Sequence, residues 1–333
     1  MQLAPIALLP VLAFLALLKA IDSYALVPPR EIWRALLMGA LVAGVCWLMN
    51  GRLAEVLPGG AANFPRFWGL FIEEILKAAF VAWLILSART GFLVDAAILG
   101  FAVGAGFSLV ENLAYLFFYL EDPSIWLVGV RGFGTAIMHG SATAMFAILG
   151  KGLSDRHPER AVPSLLPGLV LAIVVHAAFN HFPFGPVATA LLMLITMPLL
   201  LMWVFARSEA RTRAWLGTGF DDDARILESL MSADFPDTPV GRYLEGLRSR
   251  FSGEVIVDLL CLLRIHLELS VRAKGILLAR EAGVDVPIGD DVKARLEEME
   301  VLERSIGATG RLALHPVRRM SRRDLWELYV LGK

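Results

Sequence analysis

Cysteine is scarce in these 333 residues: Cys46 and Cys261 are the only two, and no CxxC pair occurs. That excludes a disulfide framework and a cysteine zinc site. No HExxH is present, so the usual zinc-protease helix is excluded as well. Neither sign of charge is in excess, since 31 Lys and Arg face 32 Asp and Glu for a net charge of −1. The electrostatic basis for a nucleic-acid partner is therefore missing. Basic residues are also missing ahead of the apolar run Met1–Leu18, where a secretory signal normally carries them. This run is read as a first membrane span rather than a cleaved signal. What the chain has in excess is apolar side chain, 57% of residues, where soluble domains hold about 45–50%. The excess is concentrated in residues 1–206, and residues 207–333 have the composition of a soluble chain.

A helix needs about 20 apolar residues to cross about 30 Å of hydrocarbon. Seven segments qualify, roughly 3–19, 33–50, 67–86, 92–120, 125–150, 163–183 and 186–206. Lipid offers backbone groups no partner, so each is expected to be helical. The breaks carry Pro28-Pro29, Gly59-Gly60, Gly91, Asp122-Pro123, His157-Pro158 and Pro183. Ten basic residues follow the odd-numbered spans, among them Lys19, Arg30, Lys151, Arg207 and Arg211, against Arg52, Arg66 and Arg131 in the other loops. By the positive-inside rule the N-terminus lies outside and the C-terminal part in the cytoplasm, which requires an odd number of spans.

Residues 207–333 hold no spanning stretch. The richest run, Val255–Val271, is interrupted by Asp258, Arg264, His266 and Glu268, and reads as the central helix of a small helical domain. Asp290–Ile306 and Ser321–Leu331 read as amphipathic helices, the latter with Ser321 and Asp324 resembling a helix start. This half is expected to be a packing or partner-binding domain. The fold class is thus all-α: a polytopic membrane domain over 1–206 and a cytoplasmic helical domain over 207–333.

Polar groups inside the spans carry the functional signal. Span 3 contains Glu73, Glu74 and Lys77. Each ionisable group costs roughly 2.5–3.5 kcal/mol near a bilayer centre, while each Leu, Ile, Phe or Val returns only about 0.3–0.6. The helix must face neighbours that compensate the charge. A Glu–Lys pair three or four residues apart explains one carboxylate and leaves the second unexplained. Span 4 contains Glu111 and Asn112, span 5 His139, and span 6 His176 with Asn180 four residues on, on one face. At about 1.5 Å per residue from the outer end, Glu73 and His176 lie about 10 Å deep, Glu111 about 14 Å, Asn180 about 5 Å and His139 about 20 Å. Gly100, Gly104 and Gly106 in span 4 permit close helix contact. Asp95, Lys151, His157 and His315 read as boundary or surface residues, and His181 as a helix end.

Carboxylates, imidazoles and a carboxamide in low dielectric suit hydrolysis: Glu as general base or acid, His sharing the proton, Asn donating to an oxyanion. The same groups can instead hold Zn²⁺. Two other classes use such residues. One is a proton-coupled transporter, for which inverted repeats are expected and none is evident. The other is a sensor or scaffold whose cytoplasmic domain binds a partner.

Glu-Glu-x-x-Lys (73–77), Phe-x-x-x-Glu-Asn (107–112), His139 and His-x-x-x-Asn (176–180), in that order on successive spans, resemble the PrsW family of intramembrane proteases. That family is similar to the group containing type II CAAX prenyl proteases and Abi proteins. The resemblance covers roughly residues 60–185. It implies that Glu73 and Glu74 supply catalytic carboxylates, and that Glu111 stands where the CAAX group has a His. His139, His176 and Asn180 complete the site, with Lys77 and Asn112 in support. In the wider group the basic residue comes one position later, where this chain has Ala78. The implied activity is cleavage of a membrane-anchored protein, an anti-sigma factor for the family's namesake, at the outer side of a bacterial inner membrane. Cofactors are none or Zn, and residues 207–333 fall outside the resemblance.

Overall fold

The computed structural model describes residues 4–53, 68–118, 125–289, 291–314, 316–317 and 331. The expected helix at Ser321–Leu331, His315 and the breaks at Gly59-Gly60 and Asp122-Pro123 lie outside the described residues, Leu331 excepted. Two compact units are present, Met1–Glu209 and Ala210–Lys333. The described residues are helical and contain no strand.

In the first unit the helices are α1 (Ala4–Ala20), α2 (Pro29–Leu53), α3 (Leu70–Leu86), α4 (Leu93–Phe118), α5 (Ile125–Arg156) and α6 (Leu166–His181). A longer helix, α7 (Pro186–Leu230), carries Pro198 inside it and contains the boundary between the units. Pro29 opens α2, where its fixed φ suits the first turn and its missing N–H costs nothing. Five of these helices are long and apolar enough to cross a membrane: α2, α4, α5 from Gly132, α6 with the short turn before it, and α7. Seven were expected. The other two correspond to α1 and α3, each 17 residues long, and α3 gives three of its positions to Glu73, Glu74 and Lys77.

Helix α4 is the axis of this unit. It packs against α5, α2 and α1, and α5 packs in turn against α6. Small residues make this closeness attainable, because without a hydrophobic force between helices in lipid, backbones gain by approaching. A Cβ on Gly106 would lie 2.0 Å from the Leu36 carbonyl oxygen of α2, and one on Gly104 2.1 Å from that of His139 on α5. Gly100 likewise meets Thr143 at 2.8 Å. All three glycines expected to allow close contact therefore face a neighbouring backbone. The outward stripe of α2, Trp33, Leu37, Leu41 and Leu48, is exposed, while Leu36, Gly39, Ala43 and Cys46 are buried. An apolar face left outward is what a helix bordering lipid requires.

Two residues read as boundary or surface groups are neither exposed nor idle. Asp95 is buried and accepts from the N–H groups of Gly91, Phe92 and Ala96, satisfying donors ahead of α4, while the Ala96 N–H also reaches the Phe92 carbonyl at 3.4 Å. Lys151 is fully buried and donates to Asp155 at 2.7 Å. Both stand near a predicted span end, as boundary residues do, but neither is at the surface: a charged residue there can turn inward when a partner waits. His157 is exposed, as expected, beside Glu159.

The second unit contains the end of α7 with α8 (Pro239–Leu247), α9 (Gly253–Glu281) and α10 (Asp291–Leu314). Thr238 caps α8, its hydroxyl accepting from the Gly241 N–H, and Pro239 follows at the first helical position. Leu259, Leu262, Leu263, Ile265 and Leu269 of α9 form the middle of an apolar core with Val292, Met299 and Ile306 of α10. Three of the polar interruptions in α9 have partners: Asp258 accepts from Ser305 Oγ, and Arg264 pairs with Glu268 at 2.7 Å; further along, buried Lys274 pairs with Asp223 at 2.5 Å.

Candidate functional site

Four helices of the first unit bring ionisable side chains to one place. On α3, Glu73 and Glu74 are adjacent and therefore about 100° apart around the axis, while Lys77 stands three residues from Glu74 and shares its face. Glu74 and Lys77 are buried, at 1% and 0% exposure, and Glu73 is half-buried. From α4 comes Glu111, from α5 His139 and from α6 His176.

The hydrogen bonds form a connected chain. Lys77 Nζ donates to Glu74 Oε1 at 2.5 Å and contacts His139 Nδ1 at 2.8 Å. An ammonium has no lone pair, so Nδ1 is the acceptor there and the proton of a neutral His139 ring sits on Nε2. That Nε2–H donates to Glu111 Oε2 at 2.7 Å. On the other side, His176 Nδ1 donates to Glu74 Oε1 at 2.7 Å, which leaves the Nε2 lone pair of a neutral His176 turned towards Glu73 Oε2, 3.9 Å away. The two imidazole rings meet edge-on with centroids 4.7 Å apart. The Phe107 ring lies against both His139 and Lys77, with the ammonium 4.7 Å from its centroid, an arrangement that attracts a desolvated cation.

Of the residues expected to form the site, Glu73, Glu74, Lys77, Glu111, His139 and His176 come together. Asn112 stands behind them: its carboxamide oxygen accepts from Thr135 Oγ1 at 2.7 Å and its Nδ2 donates to the Gly132 carbonyl at 3.5 Å, tying α4 to α5. Asn180 lies one turn beyond His176 and is half-buried, with no hydrogen bond to the cluster among the described residues. His181 is exposed at the end of α6, where Phe182 turns left-handed at φ 46°. Two participants were not singled out from the sequence. Thr135 is one. The other is Asn50, whose Nδ2 donates to Glu73 Oε1 at 3.4 Å. A carboxamide in the last turn of an otherwise apolar span was the available signal.

Three side chains of the cluster make a donor set of the kind metals take. One ligand atom each from Glu73, His139 and His176 lie within 4.8 Å of one another. Two imidazoles and a carboxylate are a set that zinc takes in catalytic sites. The Glu74–His176 hydrogen bond is the outer-shell contact that orients such a ligand and raises its basicity. His139 fits less simply. Both its ring nitrogens are engaged, so it coordinates only by giving up a partner, and Glu111 at Nε2 is itself a metal-binding side chain. The residues fit a divalent ion.

Residues 27–205, more than half of the chain, match a family described as PrsW family intramembrane metalloprotease. The match begins just before α2 and ends within α7, so it includes Asn50 as well as every helix that supplies the cluster. No curated protein and no solved structure matches the chain. An integral membrane architecture, a buried Glu/His/Lys cluster drawn from four helices and this match converge: the chain belongs to the PrsW family of intramembrane proteases.

Proposed function

We propose that Glu73, His139 and His176 hold a divalent metal ion, Zn²⁺ by the chemistry of the donors. The site would then cleave a peptide bond in or next to the single span of a membrane-anchored protein. The observation that carries this is the convergence of three ligand atoms within 4.8 Å inside a membrane unit. When bound, the ion supplies Lewis acidity towards the scissile carbonyl. The chain's own groups do the rest. Glu74 holds His176 in the tautomer that presents Nε2, and Lys77 neutralises Glu74. Glu111, with 34% of its side chain exposed, is the most open carboxylate of the set. It suits the traffic of one proton from the attacking water to the departing amine. Asn180, one turn from His176 and not tied to the cluster, would donate to the substrate carbonyl.

In this reading α1 and α3 complete seven spans. The N-terminus lies outside and residues 207–333 in the cytoplasm of a bacterial inner membrane, consistent with the distribution of Lys and Arg. An anti-sigma factor, the namesake's substrate, is one member of the substrate class.

A second reading is favoured by one observation: Lys77 already occupies Nδ1 of His139. A metal-free hydrolase would use Glu73 as the base, with His176 sharing the proton. Chelation separates the two. Purified enzyme in detergent, incubated with a tagged single-span protein, is treated with a chelator and then resupplied with Zn²⁺. The metal reading expects cleavage to fall to background and return, and bound zinc to drop from about one per chain to none in His176→Ala. Cleavage indifferent to chelator but lost in Glu73→Gln selects the metal-free hydrolase. Cleavage that persists in Glu73→Gln, Glu74→Gln and His176→Ala alike removes the cluster from the chemistry.

A further inference from the structure

The final turns of α2 reach the cluster through a narrow stripe. Gly39, Cys46 and Asn50 lie seven and four residues apart, so at about 100° per residue they share one face of the helix. Gly39 sits against α4 so closely that a Cβ there would lie 1.9 Å from the Val103 carbonyl oxygen. Cys46 is buried and packs beside Phe107, the ring that lies against Lys77 and His139. Asn50 comes next on the stripe, and its Nδ2 points at Glu73 Oε1, 3.4 Å away. The carboxamide oxygen of Asn50 is buried and has no hydrogen-bond partner among the described residues. An amide free to choose would satisfy its oxygen. Here the NH₂ is given to a carboxylate and the oxygen is left over, since the reverse orientation would set oxygen against oxygen.

We propose that Asn50 is a positioning residue for Glu73: by holding Oε1, it turns Oε2 towards His176 Nε2. The inference rests on the reading above that Glu73 acts within the site, as metal ligand or as base. Glu73 needs such a hold because the other carboxylates have their own: Glu74 is fixed by Lys77 and His176, and Glu111 by His139. A bond of 3.4 Å is long, as catalytic contacts often are before substrate arrives. Its anchor is a helix locked to α4 by backbone contact, which suits a group whose task is orientation.

The test compares Asn50→Leu, close in shape but without a donor, with Asn50→Gln, which keeps one. Cleavage of a tagged single-span protein gives kcat and KM, titration with Co²⁺ gives metal affinity, and thermal unfolding in detergent reports integrity. Asn50→Leu is expected to lower kcat about 10- to 100-fold with KM and the unfolding midpoint unchanged, and to weaken Co²⁺ binding by a similar factor. Asn50→Gln is expected to recover part of both. Wild-type kcat and Co²⁺ affinity in Asn50→Leu overturn the proposal. So does an equal loss in both variants accompanied by a lowered midpoint, which is the behaviour of a packing residue. If the unaltered protein takes up no Co²⁺, the metal reading of Glu73 fails by itself, and the fall in kcat at constant KM still decides whether Asn50 orients it.

Discussion

Glu74→Gln is expected to destabilise the protein by about 3–5 kcal/mol and to reduce cleavage about 10- to 100-fold, the first because it strands a buried cation and the second because it weakens His176. The two losses are separable. Lys77 is fully buried, and Glu74 is its anionic partner at 2.5 Å. Glutamine keeps an acceptor for His176 Nδ1 but removes the charge that compensates the ammonium. Lys77→Met alone should cost a similar amount, by stranding Glu74 instead. The double variant Glu74→Gln/Lys77→Met removes both charges together, so neither is left buried and unpaired, which is the costly part of breaking such a pair. Its unfolding midpoint in detergent should return to near that of wild type while cleavage stays low. A double variant that cleaves normally would show the pair to be a neutralised structural contact, the plain interpretation that a Glu three residues before a Lys always invites.

The second large effect is expected from Gly104→Ala, a change that touches no polar group. The added Cβ would lie 2.1 Å from the His139 carbonyl oxygen, 2.5 Å from its carbon and 2.8 Å from Gly140 Cα. All three are backbone atoms, so no side chain can swing aside. Relief requires α4 and α5 to separate by about an ångström, and a displacement of that size at reacting groups costs on the order of 100-fold in rate. Overpacking of this kind also costs about 1–3 kcal/mol. Gly152→Ala on the same α5 is the control: its Cβ meets only Leu93 Cδ2 at 3.6 Å, an ordinary contact. Cleavage should fall about 100-fold in Gly104→Ala and stay unchanged in Gly152→Ala. Equal activity in the two would mean that His139 need not be held at this distance from α4.

The site was legible in the sequence to the extent that charge in an apolar helix is costly. Glu73, Glu74 and Lys77 stood out because lipid cannot solvate them, and Glu111, His139 and His176 because each was polar where its neighbours were not. The close contacts of Gly104 and Gly106 followed from the same reasoning about small residues. What could not be read was direction. Whether Lys151 faced lipid, water or Asp155 depends on the rotation of α5, which apolar composition on all sides leaves open. The burial of Asp95 at the start of its span could not be read, because its three partners are backbone N–H groups, which no sequence pattern displays. Asn50 was missed because its partner is 23 positions away on another helix. Asn180 remains apart from the cluster among the described residues, although its four-residue spacing from His176 put both on one face. A shared face brings two groups to the same side of a helix and does not give them a common partner.

The order in which the chain is made gives the Glu74–Lys77 pair one more consequence. His176 lies 102 residues after Glu74. At synthesis rates of about 5–20 residues per second, that separation lasts roughly 5–20 s. Throughout that interval α3 must sit in or beside the membrane without the imidazole that will accept its carboxylate as a partner. Lys77 is made three residues after Glu74, on the same helix face, and is available at once. The ammonium is thus the partner of Glu74 that is present before α5 and α6 are made, and only when they arrive can the cluster assemble. On the function proposed above, the hydrolytic site is divided among four helices and is therefore absent while the chain is being built, at the stage when its own unfolded spans are the nearest substrates.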